Sequence, residues 1–234
     1  MRLAIVDDDE DLIEFVRDAL ERAGHRCSTH SSGTSLLAAL RRETFDLLLL
    51  DWSLPDITGI DLLRRIRASD AAPAGIIMLT NRSDKDGIAE ALRAGADDYI
   101  IKPESAVVIV ARVEAVRRRS APSPDGGRFL RFDRYEFDRL TQTIRVGDEP
   151  VQLSGKEFAL ALLFFENIHR PMSRGYILET LWNSAADLPT RTLDMHVSKL
   201  RTKLRLRPEN GYRIVAISGY GYRMEQFPTE NAPC

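Results

Sequence analysis

The chain has 234 residues, 44% hydrophobic and 29% charged, with a formal net charge of −2 at pH 7. That is an ordinary globular composition, long enough for two domains. Cys27 and Cys234 lie too far apart in sequence for a disulfide framework or zinc site, no apolar run reaches the length of a membrane span, and the acids at 7–11 leave no room for a basic-then-apolar leader. A cytoplasmic protein with no membrane partner is expected. Residues 1–120 hold 17 Lys and Arg against 21 Asp and Glu, and the remainder hold 16 against 14. An acidic half suited to a cation is thus joined to a mildly basic half suited to an anion.

In chain order, residues 2–6 read as a short apolar strand ending in Asp7 and Asp8. Residues 11–23 follow with helical spacing; Leu12, Phe15, Val16, Ala19 and Leu20 make one apolar stripe and Gly24 is predicted to stop the helix. Asp9 and Glu10 suit the positive end of that helix dipole. A weak strand is expected at 26–30 and a helix at 35–42. Leu47, Leu48, Leu49 and Leu50 then form a strand buried on both faces, ended by Asp51 and a turn running from Pro55 to Gly59. A helix at 59–69, a strand at 75–79 ending at Thr80 and a helix at 84–94 capped by Gly95 come next. A strand at 99–101 ends at Lys102 and Pro103, and a helix spans 106–119. Five strands alternating with five helices predict an α/β doubly wound, five-stranded parallel sheet.

Ligands of such sheets gather where the strands end. Asp7, Asp8, Asp51, Thr80 and Lys102 all stand there. An acid ending a strand is, on its own, more often a cap or turn residue, a strand-end lysine is more often solvated, and an aromatic such as Tyr99 more often fills a sheet edge. Together the set carries a chemistry. Carboxylates brought close repel one another, and a hard divalent cation such as Mg²⁺ relieves that repulsion through oxygen ligands. An ammonium and a hydroxyl beside them complete a grip on a phosphoryl group, whose transfer needs mostly positioning and charge neutralisation.

The set Asp7-Asp8, Asp51, Thr80 and Lys102-Pro103, each after an apolar strand, resembles the receiver domain of bacterial two-component response regulators. The resemblance implies that Asp51 takes a phosphoryl group from a sensor histidine kinase, and that Asp7, Asp8, Asp51 and the backbone carbonyl of Ser53 hold Mg²⁺. It implies that Lys102 binds the phosphoryl oxygens while Thr80 and Tyr99 act as the switch pair. Asn81, Ile101 and Glu104 depart from the family pattern, which bears on phosphorylation rate and lifetime. The resemblance to the OmpR/PhoB subfamily, carried by residues 191–201 and 219–223 of the second half, further implies that the phosphorylated receiver dimerises through its fourth helix, fifth strand and fifth helix. Asp97, Asp98 and Arg112 fit that face, whereas Ile88 and Val108 replace an Arg/Glu pair, so a homodimer less sensitive to salt is expected.

Residues 120–127 have linker composition, after an arginine triplet that solvates a helix end. Beyond them come short alternating strands around Leu130/Phe132, Tyr135/Phe137, Ile144/Val146 and Val151/Leu153. Ser154 and Glu157 form a capping box opening a helix that runs to about Asn167, Ser173 caps a helix ending near Trp182, and a further helix spans 190–204. Leu193, Val197, Leu200 and Leu204 make its buried stripe; Arg191, Thr192, Met195, Ser198, Lys199 and Thr202 lie opposite. The tract Lys199, Arg201, Lys203, Arg205, Arg207 favours phosphate over a plain solvated face. A hairpin at 213–224 closes the domain.

The run from Arg191 to Arg201, followed by Gly219-Tyr220-Gly221-Tyr222-Arg223, resembles the winged helix-turn-helix of the OmpR/PhoB type. That implies double-stranded DNA with tandem half-sites as partner, with RNA polymerase as a further one. Trp182 and Arg191 then touch phosphates, and Thr192, Met195, Ser198 and Lys199 read bases; Arg201 adds a basic contact. His196 buttresses the helix and Asp194 is structural. Ser218 replaces a minor-groove arginine, a role left to Arg213 or Arg223. The expected domains are 1–119, a linker at 120–127, 128–227 and a tail at 228–234. Two other readings are a phosphorylation-independent regulator of this architecture and a metal-dependent phosphohydrolase using Asp7 and Asp51.

Overall fold

A computed structural model describes residues 1–69, 72–81, 85–120, 127–182 and 190–228. The chain divides into two compact units, Met1–Ser123 and Pro124–Cys234. Residues 121–126 of the expected linker and 229–234 of the expected tail lie outside the described residues.

The first unit is one parallel sheet. Strands β1 (Arg2–Val6), β2 (Arg26–His30), β3 (Leu47–Asp51), β4 (Gly75–Thr80) and β5 (Asp98–Ile101) lie in the order β2-β1-β3-β4-β5. Helices α1 (Glu10–Arg22), α2 (Gly33–Leu40), α3 (Gly59–Arg67), α4 (Lys85–Arg93) and α5 (Ala106–Ser120) alternate with them. The four leucines of β3 divide by pleat. Leu47 and Leu49 pack with Ile13, Val16 and Leu20 of α1 and Val113 of α5, while Leu48 and Leu50 pack with Leu36 of α2 and Leu63 of α3. Each leucine is at least 99% buried, contributing roughly 1.5–3 kcal/mol apiece.

Local capping sets where the helices begin. Asp9 caps α1 by accepting from the Leu12 amide at 3.1 Å, which draws the helix start back to Glu10. Ser32 caps α2 likewise, so that helix opens at Gly33. The apolar stripe of α1 is only partly buried: Ile13 joins Val16 and Leu20 in the core, whereas Phe15 is 44% exposed.

The second unit opens with an antiparallel meander of β6 (Phe129–Phe132), β7 (Tyr135–Asp138), β8 (Thr143–Val146) and β9 (Glu149–Val151). Helix α6 (Gly155–Glu166) follows, with the capping box of Ser154 and Glu157 formed in both directions. Then come β10 (Met172–Ser173), α7 (Arg174–Trp182), α8 (Thr190–Lys203), β11 (Tyr212–Ile217) and β12 (Gly221–Gln226). The two-residue β10, too short to read from the sequence, pairs with β12. Gly221 permits that pairing, since a Cβ there would stand 2.1 Å from the Met172 carbonyl oxygen. The core is aromatic, with Tyr135, Phe137, Phe165 and Tyr212 in contact. Among the described residues no helix is long and apolar enough to cross a membrane.

Candidate functional site

The carboxyl ends of β1, β3, β4 and β5 bring the predicted acceptor residues together. Asp7, Asp51 and Thr80 are 1%, 4% and 3% exposed, while Asp8 is open to solvent. Lys102 follows β5, its amide bonded to the Thr80 carbonyl at 2.8 Å. Its ammonium donates to Asp7 Oδ2 at 2.6 Å and Asp51 Oδ1 at 2.5 Å. The other oxygens are also held: Asp51 Oδ2 accepts from the Ser53 amide at 2.7 Å and Asp7 Oδ1 from the Asp9 amide at 3.1 Å.

Burial pushes the Asp7 carboxyl above its ordinary value despite the Lys102 hydrogen bond, with the Asp51 charge adding to the rise. At Lys102 burial acts downward, but the hydrogen bonds to Asp51 and Asp7 outweigh it and the ammonium is held above its usual range. Carboxylate oxygens of Asp7, Asp8 and Asp51 all lie within 4.8 Å of one another. One ammonium against three carboxylates leaves two negative charges. A hard divalent cation with oxygen ligands therefore fits this donor set.

Two residues that the sequence marks only as parts of a turn shape the same rim. Gly59 opens α3 directly against Asp51, its amide bonded to the Trp52 carbonyl at 2.8 Å, and a Cβ there would stand 2.1 Å from the Asp51 backbone oxygen. Asp56 reaches from the turn after β3 to the start of α2, accepting from the Gly33 and Thr34 amides at 3.0 and 2.8 Å and from the Thr34 hydroxyl. Those bonds, the Thr34 hydroxyl first, hold its carboxyl down to about 2. The Pro-Asp-containing turn signalled a loop; only the fold shows what the loop holds.

Among the departures, Asn81 is exposed, and the Glu104 carboxylate accepts from the Ser105 amide at 2.7 Å. Tyr99 is half-buried with the Arg112 guanidinium 5.9 Å from its ring centre, and Arg112 pairs with Asp98 at 3.1 Å. Asp97 was expected on the dimer face. Its carboxylate accepts from the Ile76 amide at 2.7 Å and from Arg67, which fastens α3 to the sheet within the chain. Ile88 and Val108 are half-buried; Leu92 and Val107, unremarked in the sequence, are 46% and 79% exposed.

In the second unit α8 buries Leu193, Val197 and Leu200 completely and exposes Arg191, Met195, Ser198 and Lys199; Leu204, just beyond its end, is completely buried too. Thr192 is half-buried, and its carbonyl lies 2.8 Å from His196 Nδ1. The His196 ring also meets Trp182 edge-on at 5.4 Å, which ties α8 to the end of α7. The basic tract wraps around the helix, and several of its members have partners within the chain. Arg201 donates to the Ile214 carbonyl at 2.8 Å and Lys203 to Glu157 at 2.8 Å, while Arg205 pairs with Glu149 at 3.0 Å. Arg201 is thereby turned toward the hairpin and away from the exposed stripe. Arg223 pairs with Glu225 at 2.8 Å, as Arg213 does at 2.9 Å, and Ser218 is exposed in the hairpin turn.

Comparison with known proteins agrees with this division. A profile described as the response regulator receiver domain matches residues 3–114, and one described as transcriptional regulatory protein, C terminal, matches residues 148–224. The chain is 34% identical to the sensory transduction protein RegX3 of Mycolicibacterium smegmatis over 94% of this chain and 97% of that protein. It is 33% identical to the phosphate regulon transcriptional regulatory protein PhoB of Pseudomonas aeruginosa over 94% of this chain and 96% of that protein. A crystal structure of the response regulator DrrB, a Thermotoga maritima OmpR/PhoB homologue, matches with a TM-score of 0.47 at 28% identity, covering 96% of this chain and 98% of that one.

Proposed function

Because the chain belongs to the OmpR/PhoB family of two-component response regulators, with a receiver and a DNA-binding domain, we propose that phosphorylation of Asp51 by a sensor histidine kinase switches its binding to DNA. The observation that carries the reading is the Lys102 ammonium bridging the buried Asp7 and Asp51, with the exposed Asp8 completing a three-carboxylate cluster. Asp7, Asp8, Asp51 and the Ser53 carbonyl would hold Mg²⁺, which would neutralise the charge shared by carboxylate and phosphoryl oxygens.

An Asp51 carboxylate oxygen attacks the phosphorus of the kinase phosphohistidine. The new O–P bond forms as the N–P bond breaks, and its electron pair stays on the imidazole nitrogen, which takes a proton from solvent. Lys102 already touches the acceptor, so it can pass its hydrogen bonds from carboxylate to phosphoryl oxygens without leaving the rim. Thr80 and Tyr99 then close toward the new group, and the bias between the two receiver states equals its differential stabilisation of the closed one. Dimerisation uses α4, β5 and α5, where Ile88 and Val108 supply apolar contact. Two winged domains then meet half-sites about one DNA turn apart, with Arg191 and Trp182 on phosphates and Thr192, Met195, Ser198 and Lys199 toward bases.

Sedimentation of the wild type and Asp51→Asn, in Mg²⁺ with and without beryllofluoride as phosphoryl mimic, tests this. A monomer-to-dimer shift confined to the wild type is expected. No shift in either protein overturns a phosphorylation-driven dimer, and dimers in every sample make the apolar Ile88/Val108 face sufficient without phosphate.

A further inference from the structure

One acid stands in the stripe of α8 that would face nucleic acid. Asp194 lies among Arg191, Met195 and Ser198, with 48% of its side chain accessible. A lone carboxylate there would repel phosphates, yet this one is held on two sides. Asp194 Oδ1 accepts from the Tyr222 hydroxyl at 2.5 Å and from Arg174 Nη2 at 3.2 Å. The Arg174 guanidinium also lies 5.0 Å from the Tyr222 ring centre, a cation–π distance. Tyr222 is itself buried and fixed in β12 opposite Ala216. Thus β12 positions Tyr222, Tyr222 positions Asp194, and Asp194 occupies Arg174 at the start of α7.

The electrical consequence can be separated from the geometric one. The salt-dependent part of DNA binding counts cations that displace counterions from phosphates. A neutral Arg–Asp pair displaces none. An asparagine at 194 would still accept from the Tyr222 hydroxyl, so a merely structural acid would be replaceable without electrical effect.

We propose that Asp194 is a charge restraint on the DNA-binding surface, keeping Arg174 from neutralising phosphate and so lowering affinity for non-specific DNA. Base-facing residues of α8 then carry a larger share of the discrimination. The proposal rests on α8 being the DNA-facing helix.

The test uses the full chain as wild type, Asp194→Asn, Arg174→Gln and the double variant. Binding to a random-sequence duplex is followed by fluorescence anisotropy from about 50 to about 200 mM salt. Asp194→Asn should bind more tightly at low salt and lose about 3.5-fold more affinity than the wild type across that range, the change for one added phosphate contact at a slope of about −0.9. Arg174→Gln should keep the wild-type slope, and the double variant should return to it. Tyr222→Phe, which retains both charges, should also keep that slope even if its packing weakens binding.

An unchanged slope in Asp194→Asn overturns the restraint. So does a flattened slope in Arg174→Gln, which would place Arg174 on phosphate in the wild type. A steep slope persisting in the double variant removes Arg174 from the account. Absence of binding by every protein, wild type included, instead overturns the placement of α8 on DNA and with it the proposal.

Discussion

Replacing Lys102 with methionine keeps much of the side-chain volume and removes the one ammonium between two carboxylates that are 1% and 4% exposed. Breaking a buried ion pair by removing one partner costs about 3–5 kcal/mol, because the charge left behind is uncompensated. The receiver of Lys102→Met should therefore lose about 3 kcal/mol in the absence of divalent cation, a fall of about 12 °C for a domain of this size. Mg²⁺ should narrow the deficit, since the same substitution leaves the acids freer to bind it. Each tenfold gain in cation affinity returns about 1.4 kcal/mol at saturation. Trp52 adjoins Asp51 and the second tryptophan, Trp182, lies in the other unit. Urea unfolding followed by fluorescence in a Trp182→Phe background thus reports the receiver alone. Equal midpoints for Lys102→Met and its parent without cation, or a deficit that Mg²⁺ leaves untouched, would refute the argument that the ammonium is the counter-charge of the site.

The same fluorescence assay bears on two further expectations. Gly59→Ala drives a Cβ to 2.1 Å from the Asp51 backbone oxygen and 2.9 Å from the Trp52 Cα; since backbone yields poorly, a loss of about 3 kcal/mol is expected, and a variant within about 0.5 kcal/mol of wild type would contradict the contact. His30 lies between Ser28 Oγ at 3.2 Å and Ser35 Oγ at 3.0 Å, and burial lowers its pKa below the ordinary 6.5. The unfolded chain then binds the proton more readily, so stability is complete above about 6.5 and declines as pH falls from there toward the folded-state value. His30→Gln should lose less stability on acidification than the wild type; parallel pH profiles would remove His30 as a cause.

What could be read from the residues follows the range of the forces involved. The run Leu47 to Leu50 announced a strand walled on both faces, and acids placed after apolar strands announced the rim, because pleat and topology carry such residues there whatever else the chain does. The capping box at Ser154 was legible for the same reason: both partners lie within one turn. Contacts between residues far apart in the chain were not legible. Phe15 fits the helical stripe as well as Ile13 does, and only the position of α5 against α1 decides between them. Asp97 answers to Arg67 and Arg201 to Ile214, across separations of 30 and 13 residues. Asp56 looked like turn chemistry, yet it caps a helix more than 20 residues upstream.

The leucine strand also bears on timing. Amides at 48–50 sit in the middle of the sheet, so they meet solvent only when the whole receiver opens. Rim loops, by contrast, rearrange over nanoseconds to microseconds. Asp51 ends that central strand, while Asp8 beside it is open to solvent. Under the proposed phosphorylation of Asp51, the group would therefore come and go at the edge of a sheet whose centre need not open.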